Sequence, residues 1–181
     1  LFADGSMSYA ELNRRANRLA RALTDRGAGV DVPVAVLLPR GPELVTALLA
    51  VLKAGAAYLP LDTSHPPARN ARLVADARAP IVITLTSMPE AAALGVPIVA
   101  IDGDLPDDDA NLPCKSTHDH LSAIMYTSGS TGTPKGVMVT HAGIVRLLFA
   151  ANYCNFGPDH TQALLAPIAF EAATFEIWGA L

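Results

Sequence analysis

The chain has 181 residues, of which 51% are hydrophobic and 17% charged, and its formal net charge is −4. This apolar content excludes a disordered polypeptide and is enough for the core of one domain of ordinary size. The negative charge excludes an extended basic surface, so we expect neither nucleic acid nor a membrane among its partners. Cys114 and Cys154 stand far apart, and no targeting segment is visible, which predicts a cytoplasmic protein.

The first predicted element is a helix. Ser8 and Glu11 form a capping-box pattern, and apolar residues then recur at helical spacing until Gly27. Two further helices are predicted at residues 41–55 and 66–78, each with proline at its start.

Short, continuously apolar segments alternate with these helices and predict buried strands. They lie at residues 32–38, 57–61, 81–85 and 96–101, with a weak helix at residues 88–94. Solid apolar strands separated by helices predict an α/β fold with a parallel sheet that is covered on both faces. Such sheets bind ligands beyond the carboxyl ends of their strands.

An acidic, proline-containing segment separates these elements from the rest of the chain. Residues 102–120 show no periodicity and are predicted to form a surface loop. A strand at residues 121–126 follows, and Thr140 is the expected N-cap of a later helix. We therefore predict two approximate subunits, residues 1–101 and 121–181, joined by this acidic loop.

The most informative segment is residues 126–137, which read YTSGSTGTPKGV. Its glycines leave room for oxyanions to approach backbone N–H groups, its hydroxyls add short donors, and Lys135 adds a mobile positive charge. A Walker A loop ends in Gly-Lys-Ser/Thr, whereas Lys135 lies between Pro134 and Gly136, which excludes a P-loop NTPase. The segment predicts a phosphate-binding loop, and the alternative is a flexible linker with a solvated lysine.

Four segments resemble, in this order, core motifs of the adenylate-forming enzymes, and they read SYAEL, LKAGAAYLPLD, YTSGSTGTPKGV and AFEAATFEIW. The second is similar to the form found in adenylation domains of nonribosomal peptide synthetases and differs from that of most acyl-CoA synthetases. The chain is therefore identified as the N-terminal portion of such an AMP-binding domain, over residues 1–181. The resemblance implies a truncated α/β fold, the N-terminal part of the adenylate-forming enzyme fold, with parallel sheets flanked by helices.

The resemblance also implies an activity, which is ATP-dependent formation of an aminoacyl-AMP and its transfer to a carrier-protein thiol. The chain alone is expected to be an incomplete enzyme. Thr131 and Lys135 are the implied catalytic residues, in a loop that holds the β- and γ-phosphates. The implied cofactor-binding residues are Thr127, Ser128, Gly129, Ser130, Thr131, Gly132, Thr133, Lys135 and Gly136. The implied cofactors are ATP, Mg²⁺ with its main ligands outside this chain, and phosphopantetheine on a partner carrier domain; the implied partners are an amino acid and the carrier-protein and condensation domains.

The fourth motif implies the start of the amino-acid pocket. Glu171 stands where amino-acid-activating members of the family have aspartate, which implies contact with the substrate ammonium; a solvated or structural carboxylate is the alternative. Phe170 resembles an aromatic gate beside the reacting carboxylate, with core packing as the alternative. Ala172 and Phe175 are implied to line a hydrophobic pocket for an aliphatic substrate, whereas Glu176 is predicted to lie on the helix surface.

Two other functions stay open at this point. One is an acyl- or aryl-acid-CoA ligase, which the wording of the second motif disfavours. The other is a noncatalytic nucleotide-binding or scaffold module, which the glutamate at position 171 allows. His118 and His120 flank Asp119, but no further ligand cluster is near them in sequence, so no metal site is predicted within the chain.

Overall fold

The computed structural model describes residues 5–127, 134–149, 152–154, 156–157 and 159–181. The helices are α1 (Tyr9–Thr24), α2 (Pro42–Lys53), α3 (Pro67–Asp76), α4 (His141–Leu148) and α5 (Ala172–Trp178). The strands are β1 (Pro33–Val36), β2 (Ala57–Pro60), β3 (Val82–Thr84), β4 (Ile98–Ala100), β5 (Leu121–Thr127) and β6 (Lys135–Thr140). The weak helix predicted before β4 is a 3-10 helix, Pro89–Leu94. The predicted alternation of helices and strands is confirmed.

A six-stranded sheet, in the order β4-β3-β1-β2-β5-β6, forms the centre of the described chain. β1 to β5 pair in parallel, as predicted, whereas β6 pairs antiparallel with β5. The antiparallel edge was not evident from the apolar pattern. Its reason is the short connection, because residues 128–134 are too few for the crossover that a parallel pair needs. Strands from both sides of the acidic loop share this sheet, since β2 pairs with β5 through Tyr58 and Ala123.

The strands alternate their side chains between two apolar layers, as a period of two requires. One layer contains Val34 and Val36 with side chains from α1, α2 and α5. The other contains Ala35 and Leu59 with side chains from α3 and the 3-10 helix. Both faces of the sheet are thus covered, which explains why the central strands are apolar at successive positions.

The start of α1 follows the predicted cap only in part. Ser8 Oγ accepts a hydrogen bond from Glu11 N at 3.2 Å, which confirms the N-cap. The Glu11 carboxylate does not return this bond; it binds Arg14 and Arg15, at 2.6 Å each. The chain turns after α1 at Gly27, whose φ of +91° lies in the region that favours glycine.

The acidic loop lies on the surface, as predicted, but its backbone is tied to α1. Arg21 donates to Asp108 O at 3.0 Å and to Ala110 O at 2.9 Å, and it forms an ion pair with the Asp108 carboxylate at 3.1 Å. The fully buried Asn17 donates to Asp109 O at 2.7 Å. These contacts fix the path that the chain takes from β4 to β5.

No helix among the described residues is both long and apolar enough to cross a membrane.

Candidate functional site

The carboxyl ends of β1 to β5 meet at one edge of the sheet, because these strands are parallel. Polar side chains follow the strands at this edge. One of them is Asp62, which follows β2 and is held by hydrogen bonds. Asp62 Oδ1 accepts from Ser64 Oγ at 2.6 Å and from Ser64 N at 2.8 Å. The Ser64 hydroxyl, and then its N–H, lower the pKa of the Asp62 carboxyl. Asp62 is therefore a carboxylate at neutral pH that closes the turn after β2.

A similar contact joins the turns that follow β3 and β4 at the same edge of the sheet. Asp102, after β4, accepts from Thr86 Oγ1 at 2.6 Å and from Thr86 N at 2.8 Å. The Thr86 hydroxyl and N–H lower the pKa of the Asp102 carboxyl. Both carboxylates accept hydrogen bonds within the turns that follow the strands, so they fix the shape of this edge of the sheet.

The predicted phosphate-binding loop joins β5 to β6. Thr127 and Lys135 lie directly opposite each other in the antiparallel pair, and Tyr126 lies opposite Gly136. Thr127 and Lys135 are both exposed. The predicted residues Ser128, Gly129, Ser130, Thr131, Gly132 and Thr133 lie outside the described residues. The structure thus brings together the two ends of the predicted site, with a cation and a hydroxyl side by side.

Gly136 allows a close approach between the two strands at the base of this hairpin. A Cβ atom at this position would lie 3.2 Å from Tyr126 Cζ and 3.2 Å from Ile124 Cγ2, both on β5. Tyr126 is held in turn, because its hydroxyl donates to Asp76 Oδ2 at 2.5 Å. Burial of Tyr126 and the Asp76 carboxylate raise the pKa of this hydroxyl, which keeps its proton. Tyr126 is part of the motif, but its sequence pattern gave no sign of this contact.

The fourth motif places its first residues at the surface. Phe170 is 59% exposed, so it does not pack in the core of the described chain. Glu171 and Ala172 are exposed at the start of α5. Within the described part of the chain, the Glu171 carboxylate has no hydrogen-bond or ion-pair partner. Its charge is therefore open to a ligand or to solvent.

Phe175 has a different environment from Ala172, although both were predicted to line one pocket. Its ring is half-buried and lies 5.3 Å from that of Phe156 and 6.1 Å from that of Tyr153, measured between ring centroids. The tilted rings form a small aromatic cluster beside α5. The Phe175 ring is supported by its contacts with Phe156 and Tyr153. Its role in the pocket stays a prediction.

α5 also connects the fourth motif to the second. Trp178 Nε1 donates to the Tyr58 hydroxyl at 3.0 Å, and the two ring centroids are 6.2 Å apart. Tyr58 is 1% exposed on the central strand β2, and burial raises its pKa. The contact fixes α5 against the middle of the sheet.

Glu176 and Arg40 hold the segment before α5. Glu176 Oε2 accepts from Leu165 N and Ala166 N, at 2.9 Å each, and Arg40 Nη1 donates to Leu165 O. This contact differs from the predicted helix-surface role of Glu176. Sequence periodicity gave no signal for it, since the partners are backbone groups and Arg40 lies on a remote part of the chain.

The two neighbouring histidines serve local structure. His120 Nδ1 accepts from Thr117 N at 2.9 Å, and His118 contacts the Asp119 carboxylate at 3.2 Å. The described residues contain no group of three or more His, Cys, Asp or Glu side chains that could hold a metal ion.

The whole chain matches a known protein family. The model of the AMP-binding enzyme family matches residues 1–181. The chain belongs to the AMP-binding enzyme family. The malpibaldin synthetase of Mortierella alpina is 41% identical to this AMP-binding chain over 184 aligned positions, which cover 98% of the chain and 3% of the relative. Tyrocidine synthase 2 of Brevibacillus parabrevis is 38% identical over 184 positions, which cover 100% of the chain and 5% of the relative.

Solved structures of nonribosomal peptide synthetases share the fold. FmoA3 in its alpha-methyl-L-serine-AMP bound form has a TM-score of 0.87 and 31% identity, over 96% of this chain and 20% of that one. Holo-PA1221, which contains adenylation and PCP domains, has a TM-score of 0.86 and 33% identity, over 97% of this chain and 30% of that one. The predicted resemblance to these adenylation domains is confirmed, as is the α/β fold of their N-terminal part. The AMP-binding chain spans a small fraction of each relative.

Proposed function

We propose that this chain is the part of an amino-acid-activating adenylation domain that binds the phosphates of ATP and begins the amino-acid pocket. The observation that carries the proposal is the β5–β6 hairpin, which sets Lys135 opposite Thr127 at the base of a loop rich in glycine and hydroxyl residues. The match of the AMP-binding family over residues 1–181 supports it.

The proposed reaction is an in-line displacement at the α-phosphorus of ATP. An oxygen of the amino-acid carboxylate forms a bond to this phosphorus, the bond to the bridging oxygen breaks, and pyrophosphate leaves with that oxygen and its electron pair. The products are aminoacyl-AMP and pyrophosphate. Lys135, with Thr131 and the remaining loop residues, stabilises the charge that builds on the leaving group.

The acyl side of the site is assigned to the fourth motif. The Glu171 carboxylate binds the α-ammonium of the amino acid, and Phe170 lies beside its reacting carboxylate. Ala172 and Phe175 contact the substrate side chain, for which we propose an aliphatic group. The exposed Glu171 carboxylate and the exposed Phe170 ring support this assignment, since neither is used in the core.

The proposal extends to cofactors and partners of the whole protein. Mg²⁺ would neutralise phosphate charge when bound, and we place its main ligands outside this chain. The aminoacyl group would pass to the phosphopantetheine thiol of a carrier domain, with a condensation domain as the next partner, in the cytoplasm. Holo-PA1221, which joins adenylation and PCP domains in one protein, supports the carrier as partner.

The test is amino-acid-dependent exchange of pyrophosphate into ATP by the full-length protein. We expect exchange with wild type, and a loss of about a hundredfold or more in kcat for Lys135→Ala, because a cation at the leaving group is removed. Lys115→Ala is the matched control, since Lys115 is an exposed lysine of the acidic loop. Failure of every amino acid to support exchange would contradict the function, and unchanged turnover of Lys135→Ala would remove Lys135 from the mechanism.

A further inference from the structure

Two side chains of opposite charge hold the peptide segment that leads into the fourth motif. Glu176 Oε2 accepts from the successive amides Leu165 N and Ala166 N, at 2.9 Å each. Arg40 donates to the carbonyl of the first of these residues, Leu165. Arg40 follows β1 and Glu176 lies on α5, so the segment is bound to the sheet edge and to the helix at once.

The chain has little freedom between this anchor and the proposed pocket. Ile168 is 7% exposed and packs in the apolar layer that α1, α2 and α5 share. Phe170 N donates to Pro167 O at 2.9 Å, which closes a turn, and Ala173 N then donates to Phe170 O at 3.1 Å at the start of α5. The positions of Phe170 and Glu171 are thus set by a short, closed stretch of backbone whose far end Glu176 and Arg40 hold.

Both side chains face the same space. Arg40 and Glu176 line one cavity between α5 and the first turns of α1 and α2, together with Gln162 and Leu164. A carboxylate that accepts two N–H groups, and a guanidinium that donates to a carbonyl, form charge-assisted hydrogen bonds. These bonds are stronger and more directional than those between neutral groups, so they restrict the backbone more closely.

We infer that Glu176 and Arg40 are positioning residues that set the place of Phe170 and Glu171 relative to the amino acid. They act through the backbone of residues 165–166 and do not touch the substrate. The kinetic consequence rests on the proposed function, whereas the backbone contact itself does not. A reacting group that is displaced by about 1 Å can lose about a hundredfold in rate, so a distant anchor of this kind matters for catalysis.

The kinetic test compares Glu176→Ala, Glu176→Gln and Arg40→Ala in the full-length protein. We expect Glu176→Ala and Arg40→Ala to lower kcat/KM for the amino acid by about tenfold to a hundredfold, with KM for ATP changed less than about twofold. Glu176→Gln keeps an oxygen that can accept both amides but loses the charge, so its loss of activity should be smaller than that of Glu176→Ala. Glu90→Ala and Arg72→Ala are matched controls, because both residues are exposed and lie on other helices.

Hydrogen exchange gives a second measurement that needs no activity. Exchange of the Leu165 and Ala166 amides should be faster in Glu176→Ala than in wild type, and intermediate between the two in Glu176→Gln. If Glu176→Ala fails to fold, Arg40→Ala remains as the test, because the hydrogen bond from Arg40 to Leu165 O lies at an exposed position. The inference would be overturned if the variants lost kcat/KM equally for the amino acid and for ATP. It would also be overturned if Glu176→Gln had activity as low as that of Glu176→Ala. An inactive wild type would contradict the proposed function alone, and unchanged amide exchange would contradict the positioning contact alone.

Discussion

At the scale of single residues, the most informative position is Glu171. It has the charge that the family resemblance implies at this position and one more methylene group in its side chain. Its carboxylate is exposed and has no protein partner in the described part of the chain. The proposed function assigns this carboxylate to the substrate ammonium, with which it could form a charge-assisted hydrogen bond.

Substitution of Glu171 tests this explanation. In the full-length protein, Glu171→Gln should raise KM for the amino acid and leave KM for ATP nearly unchanged, because a charge-assisted contact is lost on the acyl side alone. The loss of one such contact, about 1.5–3 kcal/mol, corresponds to roughly tenfold or more in KM. Glu171→Asp should also lose activity if the pocket is built around the longer side chain. Equal kinetics for all three proteins would mean that the carboxylate does not contact the substrate.

The packing around Gly136 predicts the effect of replacing this single residue. We expect Gly136→Ala to raise KM for ATP by several-fold, because the new Cβ would meet Tyr126 and Ile124 at 3.2 Å and push the base of the loop outward. Gly143→Ala is the control on the neighbouring helix, where the nearest atom to a new Cβ is 3.6 Å away. Steady-state pyrophosphate exchange measures both. An unchanged KM for ATP in Gly136→Ala would show that the tyrosine ring yields without disturbing the loop.

At the level of elements, α5 is fixed to the sheet by a polar contact with the buried Tyr58. Tyr58 on β2 and Trp178 on α5 share a hydrogen bond of 3.0 Å, and Ala173 and Ile177 pack into the same apolar layer. The second and fourth motifs are therefore one structural unit, although more than a hundred residues separate them. The place of the proposed amino-acid pocket therefore depends on this contact as well as on the residues proposed to line it.

Tyr58→Phe measures what the contact contributes to stability. It should lower the free energy of unfolding by about 1–3 kcal/mol, because the partly buried Trp178 N–H loses its partner. Tyr9→Phe is the matched control: its hydroxyl donates to Ala180 O at 2.7 Å, but its side chain is 68% exposed, so we expect a change within about 0.5 kcal/mol. Urea unfolding of the full-length variants gives both numbers. Equal effects would mean that burial does not strengthen the Tyr58 contact.

Across the whole molecule, the edge of the sheet that carries the candidate site is held by ionised carboxylates. Asp62 closes the turn after β2, and Asp102 joins the turns after β3 and β4. Their pKa values in the folded chain lie below the ordinary 3.8. Such groups add stability above the unfolded pKa, and this stability is lost as the pH falls through the folded pKa.

The corresponding prediction is acid sensitivity. The advantage in unfolding free energy of wild type over the double variant Asp62→Asn, Asp102→Asn should be constant at neutral pH and decline below about pH 4, because the unfolded carboxyls take up protons first. Urea unfolding at a series of pH values measures this difference. A difference that stays constant down to about pH 3 would contradict the assigned role of the two carboxylates.

The order of the elements and the class of fold follow from the sequence alone. Continuous apolar segments specify strands that are buried on both faces, and Ser8 and Thr140 specify helix starts, because each of these signals is local. The phosphate loop that the glycine, hydroxyl and lysine pattern indicates stays a prediction. The register of β5 against β6, which lays Tyr126 over Gly136, and the meeting of Glu176 and Arg40 at Leu165 follow only from the folded chain. These contacts join residues that are distant in sequence or that meet through backbone groups, and the side-chain pattern of one sequence carries no record of such partners.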